Sequence, residues 1–100
     1  MLKVKVDTKN YTVTMRGHAN FAENGKDIVC AGASTLLYTL ANTLEAFRTA
    51  MTELPSFTIN GEGEKQRVTY RCKPNEEYEP NVQLVFMTVT TGFNLLAENY

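Results

Sequence analysis

One hundred residues suffice for a single domain with one core, and a balance of 43% hydrophobic to 21% charged residues excludes an intrinsically disordered chain. A formal net charge of −1, with six basic and four acidic residues in the first fifty positions and four and seven in the last fifty, gives no strong overall field toward nucleic acid or an anionic membrane. No apolar run approaches the roughly 18–20 residues of a membrane span, and the N-terminus alternates rather than forming a signal peptide's apolar core, so the chain reads as a soluble, cytoplasmic protein without membrane or direct nucleic-acid partner.

The first predicted element is a strand in which Leu2, Val4 and Val6 alternate with Lys3 and Lys5. Asp7-Thr8-Lys9-Asn10 supplies a turn, and Tyr11, Val13 and Met15 alternate with Thr12, Thr14 and Arg16 in a second strand, completing a hairpin. Odd positions of that strand face the core, and His18 follows the opposite parity. Residues 19–26 have no period, exceed the usual connection of about 4–6 residues, and are expected to form a functional loop carrying Phe21 and Gly25.

Asp27 reads as a helix N-cap, and the pattern is helical from Ile28 to about Thr52. Val29, Ala33, Leu36, Leu40, Leu44, Phe47 and Met51 recur at steps of three and four as one apolar stripe, and Pro55 closes the segment. Phe57 and Ile59 begin a third strand, Asn60 to Glu64 form a turn, and Val68, Tyr70 and Cys72 face the core from a fourth strand. After an acidic connector from Pro74 to Pro80, Val82, Val85, Phe86, Val89, Phe93 and Leu96 fit a second helix, since about 17 residues is long for a strand. The order β-β-α-β-β-α predicts one α+β domain over residues 1–100: a two-layer sandwich of a four-stranded, mostly antiparallel sheet with two helices on one face.

No phosphate-binding glycine motif is present; Gly61-Glu62-Gly63 lacks the following helix and carries negative charge. Glu76, Glu77 and Glu79 sit in a Pro-flanked connector and read as a solvated loop. One His and two Cys without CxxC or HxxxH spacing make a poor metal set, so no metal is expected. Cys30 and Cys72 allow one disulfide at most, and both are expected to be reduced.

The two thiols differ in setting. Cys72 falls on the apolar face of its strand and reads as a small core hydrophobe. Cys30 falls in the first turn after Asp27, where free amides and the positive helix end favour a thiolate. Asp27, Cys30 and Ser34 share one helix face, and His18, the chain's only histidine, stands at the mouth of the long loop as a base for the thiol. Gly32 removes side-chain bulk just after Cys30, either to admit a substrate backbone or to pack closely against the sheet. On spacing alone, a lone cysteine near a helix start and a lone histidine are more often packing and capping residues.

The residues themselves carry a closer likeness. Gly17-His18-Ala19, then Gly25-Lys26-Asp27-Ile28-Val29-Cys30-Ala31 with Ser34 four residues beyond Cys30, resembles the ribosomal-processing cysteine protease family, Prp. That family's pattern is a Gly-His pair, a mobile loop and an Asp-x-x-Cys-x-x-x-Ser helix start; the specific match covers residues 17–34, and the rest is a likeness of length and element order. The resemblance implies an enzyme that removes the N-terminal extension of a precursor large-subunit ribosomal protein, cutting after a motif with paired aromatic residues. It implies a catalytic dyad of His18 and Cys30, supporting roles for Gly17, Asp27 and Ser34, a homodimer, and no cofactor. The chain departs from the family at Gly32, where members often carry alanine.

On that reading Cys30 attacks the scissile carbonyl and His18 protonates the leaving amine, with amides from Val29 to Ala31 as the oxyanion hole. Asp27 either caps the helix or orients His18, and Phe21 either meets an aromatic substrate side chain or pins the loop to the core. The alternative is a noncatalytic ribosome-associated binding or assembly factor with an idle thiol.

Overall fold

The structure, a computed structural model, describes residues 2–17, 26–62 and 65–99. The elements run β1 (Lys3–Asp7), β2 (Thr12–Arg16), α1 (Lys26–Glu45), β3 (Met51–Asn60), β4 (Arg67–Pro74) and α2 (Glu79–Asn99), with 3₁₀ turns at Arg48–Ala50 and Glu76–Tyr78. The expected order and the α+β sandwich are present. The sheet is antiparallel throughout, in the order β1-β2-β4-β3, so β4 is central while β1 and β3 are the edges.

The first hairpin turns because the Asp7 carboxylate accepts from the amides of Lys9 and Asn10, both at 3.0 Å, and from Asn10 Nδ2 at 2.9 Å. Tyr11 takes a left-handed φ of 51°, so β2 starts one residue after it. The core then assembles from one parity of each strand. Val13, Met15, Val68, Tyr70 and Cys72 are buried beneath Ala33, Leu37, Leu40 and Leu44 of α1 and Val82, Phe86, Val89 and Phe93 of α2. Tyr11 meets Phe86 edge-on, with ring centroids 5.6 Å apart. Both helices bury their stripes against one sheet face.

The first helix differs from its sequence expectation at both ends. It begins at Lys26, so Asp27 lies within the first turn rather than at the cap. It ends at Glu45, not near Thr52: the Ala46 and Phe47 amides tighten onto the carbonyls of Thr43 and Leu44, and a 3₁₀ turn follows. Met51 continued the helical spacing only because the chain re-enters the same core as a strand, where Met51 pairs with Pro74. Pro55, expected to stop the helix, sits within β3. An edge strand tolerates the missing donor, and the β3–β4 register is irregular between Met51 and Ser56.

The expected stripe also contained Leu36 where the sheet-facing position is Leu37, 1% exposed. Leu36 turns toward α2 instead. A Cβ on Gly92 would lie 2.7 Å from Leu36 Cδ2, and one on Gly32 would lie 3.0 Å from Leu96 Cδ1. Each helix thus offers a glycine to the other's leucine, and α1 buries one strip on the sheet and a second on α2. Gly32 packs against Leu96 of α2 rather than against the sheet.

Candidate active site

The start of α1 and the end of β2 meet at one end of the sheet. Gly17 extends the β2–β4 ladder by one step, its amide donating to the Gln66 carbonyl at 3.0 Å. Its φ of 83° lies in the left-handed region, which is natural for glycine and costs an L-residue about 1–2 kcal/mol. The chain therefore leaves the sheet sharply after Arg16, at the residue that precedes His18.

Facing this point is Cys30, half-buried on α1. Ser34 and Tyr38 follow at intervals of four, so the three side chains run down one face of the helix. Together with Met15, Gly17, Leu37, Ile59, Gln66 and Val68 they line a hollow of about 240 Å3. Of the site residues expected from the sequence, the structure brings Gly17, Cys30 and Ser34 to this one hollow. His18, Phe21 and Gly25 lie outside the described residues, as does the side chain of Asp27.

Sequence reasoning missed Tyr38, Ile59 and Gln66. Tyr38 was within reach, being four residues past Ser34 on the same helix face. Ile59 and Gln66 arrive from β3 and β4, and nothing local in the sequence ties them to Cys30.

Ile59 brings β3, an edge strand among the described residues, to the wall of the hollow. Ile59 is 53% exposed and Tyr38 50%, and the Tyr38 ring stacks on Phe57 with centroids 5.5 Å apart and planes 18° apart. These side chains form an apolar ledge beside the thiol. An edge strand with unpaired backbone groups and an adjacent ledge is suited to an extended peptide, which would add to the sheet as a further strand.

Cys72 has the opposite environment. It is 4% exposed in the middle of β4, and burial pushes its thiol up to about 11, only partly countered by the Tyr70 hydroxyl. As expected from the sequence, it is a core residue. Neither a cysteine–histidine metal set nor another group of His, Cys, Asp and Glu suited to a metal occurs among the described residues. Among those residues, too, no helix is long and apolar enough to cross a membrane.

Comparison with known proteins gives this geometry a context. The family model for cysteine protease Prp matches residues 1–100. The ribosomal processing cysteine protease Prp of Mycoplasma genitalium is 30% identical over 103 residues, covering 100% of this chain and 88% of that protein. A crystal structure of SMU.848 from Streptococcus mutans superposes with a TM-score of 0.68 at 32% identity, covering 88% of this chain and 73% of the other. The Prp protease of Staphylococcus aureus, crystallised with a substrate peptide, gives a TM-score of 0.66 at 25% identity over 99% of this chain and 89% of its own. The same S. aureus protein has also been crystallised with a covalently linked product peptide.

Proposed function

Since the chain belongs to the cysteine protease Prp family and is a cysteine protease, we propose that it removes the N-terminal extension of a precursor large-subunit ribosomal protein, with Cys30 as nucleophile and His18 as its acid–base partner. The observation that carries this reading is that Gly17, the residue before His18, and Cys30 line the same hollow. Cys30 is half-buried there, open enough to meet a substrate, while the second thiol is sealed in the core.

In this mechanism the Cys30 thiolate attacks the scissile carbonyl carbon, a C–S bond forms, and negative charge moves to the carbonyl oxygen. With Lys26 as the first helical residue of α1, the amides without an intrahelical acceptor end at Ile28. The oxyanion hole is therefore assigned to the free amides that precede Val29, Ile28 being nearest to Cys30, rather than to those of Val29 to Ala31, which the helix ladder consumes. Collapse of the intermediate breaks the C–N bond as His18 protonates the leaving amine. A water, deprotonated by His18, then cleaves the thioester and restores the thiol.

Gly17, Asp27 and Ser34 support the site. Gly17 supplies the left-handed turn ahead of His18, and Ser34 sits one turn below Cys30 on the wall of the hollow. Asp27 lies in the first turn of α1, where a carboxylate either stabilises the helix start or orients His18. The loop with Phe21 and Gly25 closes over the peptide. The ledge of Tyr38, Phe57 and Ile59 receives aromatic substrate side chains while the backbone pairs with β3.

A homodimer and a cytoplasmic location complete the reading. An apolar stripe of Leu84, Met87 and Leu95, 64%, 59% and 54% exposed, runs down α2 opposite its buried face and suits a second copy.

The test is to incubate the protein with a peptide spanning the extension of the host's own precursor and read the products by mass spectrometry, with Cys30→Ala alongside. One defined cut, absent from the variant, is expected. No cut at stoichiometric protein, with a complex still detectable, would return the assignment to a binding factor.

A further inference from the structure

The sheet has a second face, and no described element covers it. The register places Lys3, Arg16, Arg67 and Asn60 directly across from one another on successive strands, then Lys5, Thr14, Thr69 and Thr58, then Asp7, Thr12, Arg71 and Ser56, with Lys73 opposite Glu53 beyond. Six of the chain's ten Lys and Arg therefore share one face, and all six are exposed. The acids there are Asp7, whose carboxylate is occupied by its own turn, Glu53, which lies 4.0 Å from Lys73 in the only ion pair of this face among the described residues, and Glu79, which with Lys9 rims the hollow that Lys5, Arg71 and Lys73 line. A net charge of −1 conceals this, because most of the acids lie elsewhere.

Directly opposed like charges destabilise a sheet, yet Lys3, Arg16 and Arg67 stand in one row. We propose that this open face binds a polynucleotide backbone without regard to sequence. Thr14, Thr58 and Thr69 lie between the row of Lys3, Arg16 and Arg67 and the row of Arg71, and hydroxyls and cations both donate hydrogen bonds to phosphate oxygens. The two central strands put no aromatic or aliphatic side chain on this face, so its middle has neither a base-stacking platform nor the apolar anchor that a protein partner or lipid surface would use. A second copy is disfavoured, since two such faces repel. Cys30 and its hollow lie on the helix side of the sheet, so bound nucleic acid leaves the peptide path along β3 open.

The test is fluorescence anisotropy of a labelled 20-nucleotide single-stranded RNA, titrated with the full chain. Seven cations, Lys9 included, less the three acids Asp7, Glu53 and Glu79 correspond to about four neutralised phosphates, so binding at 50 mM KCl is expected to weaken about 7-fold at 100 mM. The triple variant Arg16→Gln, Arg67→Gln, Arg71→Gln should lose at least about tenfold in affinity and most of the salt dependence. Its melting temperature should hold or rise, because the opposed charges are relieved, and its peptide cleavage should persist. Arg48→Gln, beyond the end of α1, should bind RNA like the parent. No binding at 100 µM protein in 50 mM KCl, or equal binding by the triple variant, would overturn the proposal. So would polyglutamate or anionic vesicles bound as tightly as the RNA.

Discussion

The surroundings of Cys30 and Cys72 put one functional group in two physical states. Cys30 stands at the edge of a hollow, one residue past the first turn of α1, with an edge strand alongside. Cys72 lies on the central strand β4, its amide donating to the Tyr11 carbonyl at 3.1 Å and its side chain roofed by the helices, and burial holds it protonated. Nothing in the thiols distinguishes them; the elements that carry them do. A residue near the start of a surface helix inherits access, and a residue on a central strand under the helices does not.

The sharpest way to break this contrast is to remove each thiol in turn. Cys30→Ala is expected to cut the rate of peptide cleavage by at least about 10⁴-fold with the fold intact, as loss of a nucleophile does elsewhere. Cys72→Ser should cleave at the parent rate while losing about 1 kcal/mol or more of stability to a buried hydroxyl. Mass-spectrometric cleavage assays and urea melts read both. A dead Cys72→Ser beside an active Cys30→Ala would reverse the assignment.

A finer contrast lies in protonation. With its thiol pushed up to about 11, Cys72 is about one part in a thousand thiolate at pH 8, so iodoacetamide at that pH should label Cys30 alone. The same shift has a consequence for stability. Below the ordinary value of 9.0, both the folded and the unfolded chain keep the Cys72 proton; above it the unfolded chain releases it first. Stability should therefore fall as pH rises from about 9 to about 11, and Cys72→Ala should remove that part of the fall in parallel urea melts.

Gly17 carries the contrast into the backbone. Gly17→Ala forces a side chain onto a φ of 83°, and the expected loss is about 5–10 °C in Tm. Because Gly17 sets the direction in which the chain reaches His18, kcat should fall more than KM rises. Unchanged kcat in a folded variant would show that His18 does not depend on this turn.

How much of this was visible in the residues follows from the range of the forces involved. The alternation in β1, β2 and β4 and the stripe of α2 are local periodicities imposed by a nearby core, and they appear in the sequence as they do in the fold. The end of α1 was not, because Phe47 and Met51 keep the helical spacing while the chain turns through Arg48–Ala50 into β3. The site divides the same way. Cys30, Ser34 and Gly17 sit in a contiguous pattern, whereas Ile59 and Gln66 reach the hollow only through the pairing of β3 with β4 and of β4 with β2. The basic sheet face was hidden for a related reason. Its cations come from three strands, each harmless alone, and only the register aligns them.

The smallest expected effect asks which neighbours of Cys30 belong to the site at all. Gly32 lies two residues further along α1, and an alanine there would place its Cβ 3.0 Å from Leu96 Cδ1, the movable end of a half-buried side chain. A small shift of that leucine relieves the contact, and replacing a mid-helix glycine returns about 0.5–1 kcal/mol in backbone entropy. The two terms nearly cancel, so Gly32→Ala should change Tm by less than about 4 °C. Cleavage should stay within twofold, because this side of α1 faces α2 and not the hollow. A large rise in KM in a variant of unchanged Tm would mean that the peptide crosses the helix at Gly32 instead of running along β3, and the boundary of the site would have to be redrawn on the α2 side of Cys30.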